Sequence, residues 1–403
     1  MKRILLIMPY GSVGGMERLA LTFYNHYKMK GDTVKAMKII KLDNDIINFG
    51  DDELFFKPYD FNKMTKVERI LFYVKAPLLL RKIIKKEKIT HSIAFGDMAN
   101  IFSSLTFTKE LKIGSLHALK SVELKNKTLL NKLLKTCFNT SFKNFNKLVC
   151  ISNAIKQDLI QNCKYRLDNL EIIYNPHDLQ EIKNKSLEEI TDKEEQELFL
   201  GNVILFLGRL SHQKSPWHLI KSFYLLGEEN KDTKLVFVGD GVQEVITYCN
   251  YLISKLNLTD KVVFLGRKSN PYKYLAKSKM LALSSLYEGT PNVIVESICL
   301  GIPVVSSNCT GGIIELMSTK NVTIDNKNVE VESGIITPNF YKGDLSIPTV
   351  DSIIEEERHF AKGLSEVLLN NRFKENLNNN KNDLLNKFDV DQVSEAYLKP
   401  LKK

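Results

Sequence analysis

Short apolar runs alternate along this chain with longer stretches of helical spacing, and the alternation occurs twice. In the first half, RILLIM leads into a glycine loop, a helix expected over about 16–30, the strand TVKAMKII, a basic helix over about 67–86 and the strand HSIAFG. KIGSLH, a helix over 126–142, KLVCIS, a helix opened by Ser152 and the segment LEIIYNPHD follow. Such alternation predicts a parallel sheet with helices on both faces.

The second series runs VILFLGRL, a helix near 216–228, KLVFVGDG, a helix near 242–256, VVFLG, a short helix near 271–277, MLALSS, a helix over 291–300 and IPVVSS. Residues 318–350 read as irregular, and helical spacing returns over 351–371 and 389–400. The expected fold class is therefore α/β, with two Rossmann-like, doubly wound domains. Domain one covers 1–178, a Glu- and Lys-rich linker, partly helical, 179–198, domain two 199–388, and a C-terminal helix in 389–403 is free to pack back on domain one. Ligands of such folds bind beyond the carboxyl ends of the strands, here in a cleft between two sheets.

A length of 403 residues suits two cores rather than one. Six cysteines without CxxC spacing point to reduced thiols and a cytoplasmic protein. The first apolar run, Ile4 to Met8, is too short for a signal peptide, and no run reaches the length of a membrane span. Charge is lopsided: the first 178 residues carry 30 Lys and Arg against 17 Asp and Glu, while the remainder is slightly acidic. No nucleic-acid motif accompanies the basic excess. Basic and bulky apolar residues mix over 67–88 and 129–145, which suits an anionic membrane surface. A solvated lysine-rich face would give the same composition.

Three stretches carry candidate chemistry. PYGSVGGMERLA (9–20) places glycines, Gly15 among them, between a strand and a helix, where backbone amides can approach a ligand. FLGRLSHQKS (206–215) sets Arg209 and Lys214 past a strand end, a spacing of cations that suits a diphosphate. LYEGTPNVIVES (286–297) holds Glu288 and Glu296 around a helix start, with Thr290 as the expected cap and Pro291 in the first turn. Carboxylates accept hydrogen bonds from sugar hydroxyls, so the three together describe a site for a sugar on a nucleoside diphosphate. Asp43, Asn44 and Asp45 form an acidic triplet that reads as a turn, and no His/Cys cluster suggests zinc.

The two glutamates with seven residues between them, GRL with its downstream lysine, VGDG, VVFLGR, GIPVVSS and GGMERLA together resemble the retaining glycosyltransferases of family 4, which have the GT-B fold. The likeness covers most of the chain and is strongest over 203–316. It implies that Glu288 and His117 lie by the transferred sugar and that Glu296 binds the ribose. It further implies that Arg209 and Lys214 neutralise the diphosphate, and that Gly15, Arg267, Gly289, Thr290 and Asn292 complete the donor pocket. No cofactor or metal is expected beyond the nucleotide-sugar co-substrate. The implied acceptor is a glycan, lipid-linked, of a bacterial surface polysaccharide, met at the inner face of the plasma membrane. A glycosidase, a sugar-nucleotide epimerase or phosphorylase, and a non-catalytic donor-binding scaffold are the alternatives.

Overall fold

Arg3–Met8 forms the first strand, β1, and in a computed structural model of the chain its side chains alternate between two cores: Ile4, Leu6 and Met8 enter one, Leu5 and Ile7 the other. A strand apolar at five consecutive positions, Ile4 to Met8, can only be buried on both faces, which places it mid-sheet. All residues are described except 10–14, 42–44, 46, 58–62, 125–128, 228–231, 321 and 402–403. The chain divides into two units, Met1–His177 with Lys387–Lys403, and Asp178–Asn386.

In the first unit, β2 (Thr33–Ile40), β3 (Glu53–Lys57), β4 (His91–Phe95), β5 (Leu111–Leu116), β6 (Lys147–Cys150) and β7 (Leu170–Ile172) join β1 in a parallel sheet of order β3-β2-β1-β4-β5-β6-β7. The C-terminal helix Val390–Leu398 covers part of one face. Lys147 Nζ donates to Ala396 O at 2.7 Å, Tyr27 Oη donates to Ser394 O at 2.9 Å, and the Tyr397 and Phe23 rings meet at 4.7 Å. Ser152 caps the helix Asn153–Gln161 by accepting from the Ile155 amide. Of the helix expected over 126–142, Leu129–Asn139 is helical, a 3-10 turn at Ser141–Asn144 follows it, and 126–128 lie outside the described residues.

The second unit holds β8 (Asn202–Leu207), β9 (Thr233–Val238), β10 (Val262–Phe264), β11 (Met280–Leu283), β12 (Val304–Ser307), β13 (Val329–Val331) and β14 (Gly334–Thr337), in the order β10-β9-β8-β11-β12-β14-β13. Only β13 runs antiparallel among these described strands. Two expectations need correction. The segment 179–198 is not a linker outside both domains: its helices Leu179–Ser186 and Lys193–Leu198, capped by Asp178 and Asp192, lie inside the second unit. Tyr274 Oη donates to Glu195 at 2.7 Å and Asn270 Nδ2 donates to Lys185 O at 2.8 Å, which fixes both helices there. The stretch 318–350 is also not wholly irregular, because it supplies β13 and β14. Among the described residues no helix is long and apolar enough to cross a membrane.

Candidate active site

The strand order of the second sheet reverses between β8 and β11, the position at which doubly wound sheets open a ligand crevice beyond their carboxyl ends. The loops that leave these two strands are sewn together. The Leu286 amide donates to Gln213 O at 2.8 Å, Ser215 Oγ donates to Ser284 O at 2.6 Å, and Ser284 Oγ donates to Lys214 O at 3.1 Å. Ser215 holds a left-handed backbone (φ 38°, ψ 59°) in this stitch, just before the helix Pro216–Tyr224.

That stitching brings Lys214 Nζ to 2.5 Å from Glu288 Oε1. Ser285 Oγ donates to the same oxygen at 2.9 Å, and Gln213 Nε2 donates to Glu288 Oε2 at 3.3 Å. Glu288 is only 9% exposed, and a carboxylate so buried is stable only when both oxygens are paired. Burial, reinforced by the neighbouring Glu288 carboxylate, pushes the Cys309 thiol far above its usual range, so it stays neutral. Nothing in the sequence points to Ser285 and Gln213, because a serine and a glutamine carry no signal of their own until the loops meet.

Arg209 owes its exposure to glycines. The end of β9 runs so close to the loop after β8 that a Cβ on Gly239 would stand 1.9 Å from Gly208 O, and one on Gly241 would stand 1.9 Å from Leu210 O. Leu210 N donates to Asp240 O and Val242 N to Leu210 O, each at 2.8 Å. Both neighbours of Arg209 are thus pinned while its own side chain projects, exposed, with no ion pair to a described residue. Arg267 follows β10 and is likewise exposed; the end of β9 lies between it and Arg209.

The helix after the β11 loop is Asn292–Cys299, one residue shorter at each end than expected. Thr290 does not cap it: Pro291 occupies the cap position, and the Thr290 hydroxyl is buried without a hydrogen-bond partner among the described residues. Gly289 packs by its carbonyl against Gly312, where a Cβ would approach to 2.8 Å. Asn292 is exposed, and Glu296 is half-buried with Tyr272 Oη 3.5 Å from its Oε1.

Gly15 and His117 belong to the first unit. Gly15 opens the helix Gly15–Met29, and the rest of its glycine loop, 10–14, lies outside the described residues. His117 follows β5; Ser115 Oγ lies 2.9 Å from its Nε2 and 3.0 Å from Tyr397 Oη. Burial, with the nearby Lys120 ammonium, drops the His117 pKa to about 3, so the ring is neutral near pH 7. Of the acidic triplet, Asp43 and Asn44 lie outside the described residues. Asp45 sits 3.4 Å from Lys38 Nζ, a buried cation that also pairs with Glu53 at 2.8 Å, so this carboxylate is a counter-ion.

Residues 189–334 match the family described as Glycosyl transferases group 1. Two Campylobacter jejuni proteins are similar over most of their length. The N-acetylgalactosamine-N,N'-diacetylbacillosaminyl-diphospho-undecaprenol 4-alpha-N-acetylgalactosaminyltransferase is 30% identical over 80% of this chain and 86% of its own. The GalNAc-alpha-(1->4)-GalNAc-alpha-(1->3)-diNAcBac-PP-undecaprenol alpha-1,4-N-acetyl-D-galactosaminyltransferase is 26% identical over 99% and 98%. Among solved structures, Anabaena HepE in complex with UDP and glucose superposes with a TM-score of 0.73, at 18% identity over 98% of both chains. At that identity the likeness speaks for the fold, two doubly wound α/β domains of the GT-B class. Thirty per cent identity over 86% of one relative and the family match across the second sheet show that the chain belongs to the group 1 glycosyltransferases.

Proposed function

We propose that this glycosyltransferase moves a hexose or N-acetylhexosamine from a nucleoside-diphosphate sugar, UDP-linked, to a lipid-linked glycan acceptor, with retention of anomeric configuration. The observation that supports the reading is the Lys214–Glu288 pair at the switch point, with Arg209 exposed on the adjoining loop. Cations there suit a diphosphate leaving group, and a carboxylate beside them suits sugar hydroxyls. The relatives' names give undecaprenol-linked acceptors and α-linked products; retention follows if the donor bond is also α.

In this reading Arg209 and Lys214 stabilise the negative charge that develops on the departing diphosphate, with Arg267 further along the same strand ends. Glu288 and His117 serve the transferred sugar, and Glu296 receives the ribose hydroxyls. Gly15, Gly289, Thr290 and Asn292 line the donor, and the buried Thr290 hydroxyl gains a partner when it binds. No cofactor enters besides the donor, so transfer should persist in a chelator. The enzyme works in the cytoplasm, peripherally at the inner face of the plasma membrane.

A panel of nucleotide sugars, incubated with and without an undecaprenyl-diphosphate-linked acceptor, tests this. A new α-glycoside and stoichiometric release of free nucleoside diphosphate are expected. Conversion of the donor alone would instead mark an epimerase, and tight UDP binding without any turnover would mark a scaffold.

A further inference from the structure

The helix Lys66–Lys86 in the first unit has two faces that bury nothing in common. Phe72, Ala76, Leu80 and Ile84 face the core. On the opposite side Val67, Leu71, Val74 and Leu78 are 66, 48, 63 and 57% exposed, and Ile70 flanks them. Steps of four and three residues keep these side chains on one line along a helix, and continuing the same steps reaches Arg81 and Lys85. One stripe therefore begins apolar and ends cationic, about 27 Å later.

Arg81 and Lys85 also line a cavity of about 420 Å³ with Lys88, Lys109 and Phe107. None of the four cations has an ion pair to a described residue. The carboxylate in the wall, Glu110, is buried and engaged through one oxygen: Thr108 Oγ1 donates to Oε1 at 3.0 Å and Lys112 Nζ stands 3.7 Å from it, while Oε2 has no hydrogen-bond partner among the described residues. Phe107 holds a left-handed backbone (φ 49°) and is 64% exposed at the cavity's edge. Bulky residues adopt that conformation at a cost, here while leaving the ring in solvent.

We infer that this stripe and cavity form a membrane-docking surface whose occupant is an anionic phospholipid bilayer: Val67, Ile70, Leu71, Val74 and Leu78 enter the acyl boundary, and the cavity takes a headgroup phosphate. Charge complementarity selects this occupant over a second copy of the chain. A paired copy would set Arg81 and Lys85 either against their own counterparts or against Val67 and Leu71, whereas a headgroup layer supplies anions at the depth where the stripe turns basic. The inference rests on the peripheral placement proposed above, and it is independent of the donor chemistry because vesicle binding needs no turnover.

The test is flotation of the full chain with vesicles of phosphatidylcholine alone or mixed with phosphatidylglycerol. Binding to the mixed vesicles only, weakening with salt, is expected. Val74→Asp with Leu78→Asp should abolish it while UDP release with a short, water-soluble acceptor continues. Arg81→Ala or Lys85→Ala should each weaken partitioning about fivefold, the equivalent of ~1 kcal/mol per surface cation. Equal binding to neutral vesicles, or unchanged binding by the double aspartate variant, overturns the inference. So does a dimer in solution that the aspartates dissociate without any vesicle binding. A folded wild type that docks on mixed vesicles but releases no UDP from any donor would refute the catalytic reading and leave this one standing.

Discussion

Lys214 Nζ and Glu288 Oε1 stand 2.5 Å apart at the carboxyl ends of β8 and β11. The cation proposed for the diphosphate is thus already neutralised by the carboxylate proposed for the sugar. A donor diphosphate must compete with Glu288 for this ammonium, and the carboxylate also repels the incoming charge. Glu288→Gln should therefore bind UDP more tightly than the parent while its kcat falls at least tenfold, roughly 1.4 kcal/mol of lost transition-state stabilisation. Titration calorimetry beside steady-state kinetics reads both; weaker UDP binding with normal kcat would show that the pair has no such dual role.

The two phosphate cations should differ in what they do to the fold. Arg209 is exposed, so Arg209→Ala should leave the melting temperature within about a degree or two of the parent. Lys214→Ala strands the Glu288 carboxylate with only Ser285 and Gln213, and should lower it measurably. Each should raise the barrier by roughly 2 to 4 kcal/mol, as loss of a preorganised donor to a developing anion does. Arg209→Lys should stay impaired, since an ammonium lacks the fork. Near-normal turnover in both folded alanine variants would leave the donor site without its phosphate anchor.

Which features could be read from the sequence follows from how local their causes are. The strands of the second sheet announce themselves because VILFL, LVFV and MLAL are apolar at every position, as a strand buried on both faces must be. GIIT in β14 is short and set among polar residues, and it becomes a strand by pairing with β12 on one side and β13 on the other. The helix Arg372–Leu385, RFKENLNNNKNDLL, was missed because asparagines hide its spacing; burial of Phe373, Leu377, Leu384 and Leu385 holds it. Glu288, Lys214 and Glu296 were legible as residue types near strand ends. Their pairing was not, since Lys214 meets Glu288 only once β8 and β11 are neighbours, and Thr290 fails as a cap because the chain enters the helix through Pro291 in extended conformation.

Gly239 offers a test of how the β8 loop is held. Its φ is +148°, and an added Cβ would overlap a backbone carbonyl, which no side-chain rotation relieves. Gly239→Ala should destabilise the second unit by about 2 to 4 kcal/mol, from backbone strain and the forced separation of Gly208 from β9. Gly227→Ala, also at positive φ but with open space around it, is the control and should cost nearer 1 kcal/mol. Urea unfolding monitored by Trp217 fluorescence, buried in the same unit, compares them; equal losses would mean that the contact with Gly208 is unimportant.

His117 couples the first unit to pH. Its pKa falls from 6.5 to about 3 in the folded chain because burial and Lys120 disfavour the imidazolium, so the unfolded chain binds a proton that the folded chain refuses. Between those two values the unfolded state holds more protons, and stability must drop as pH falls through the window, by up to about 1.4 kcal/mol per pH unit for this one group. His177, lowered to about 4 by burial, acts in the same direction and remains when His117 is replaced. His117→Gln should accordingly flatten, without abolishing, the loss of stability between about pH 6.5 and 4, and turnover of the parent should show no ionisation near 6.5 that this substitution removes. Unfolding free energies measured by circular dichroism across that range decide it: an unchanged slope in the variant would mean that His117 protonates in the folded protein as readily as in the unfolded one.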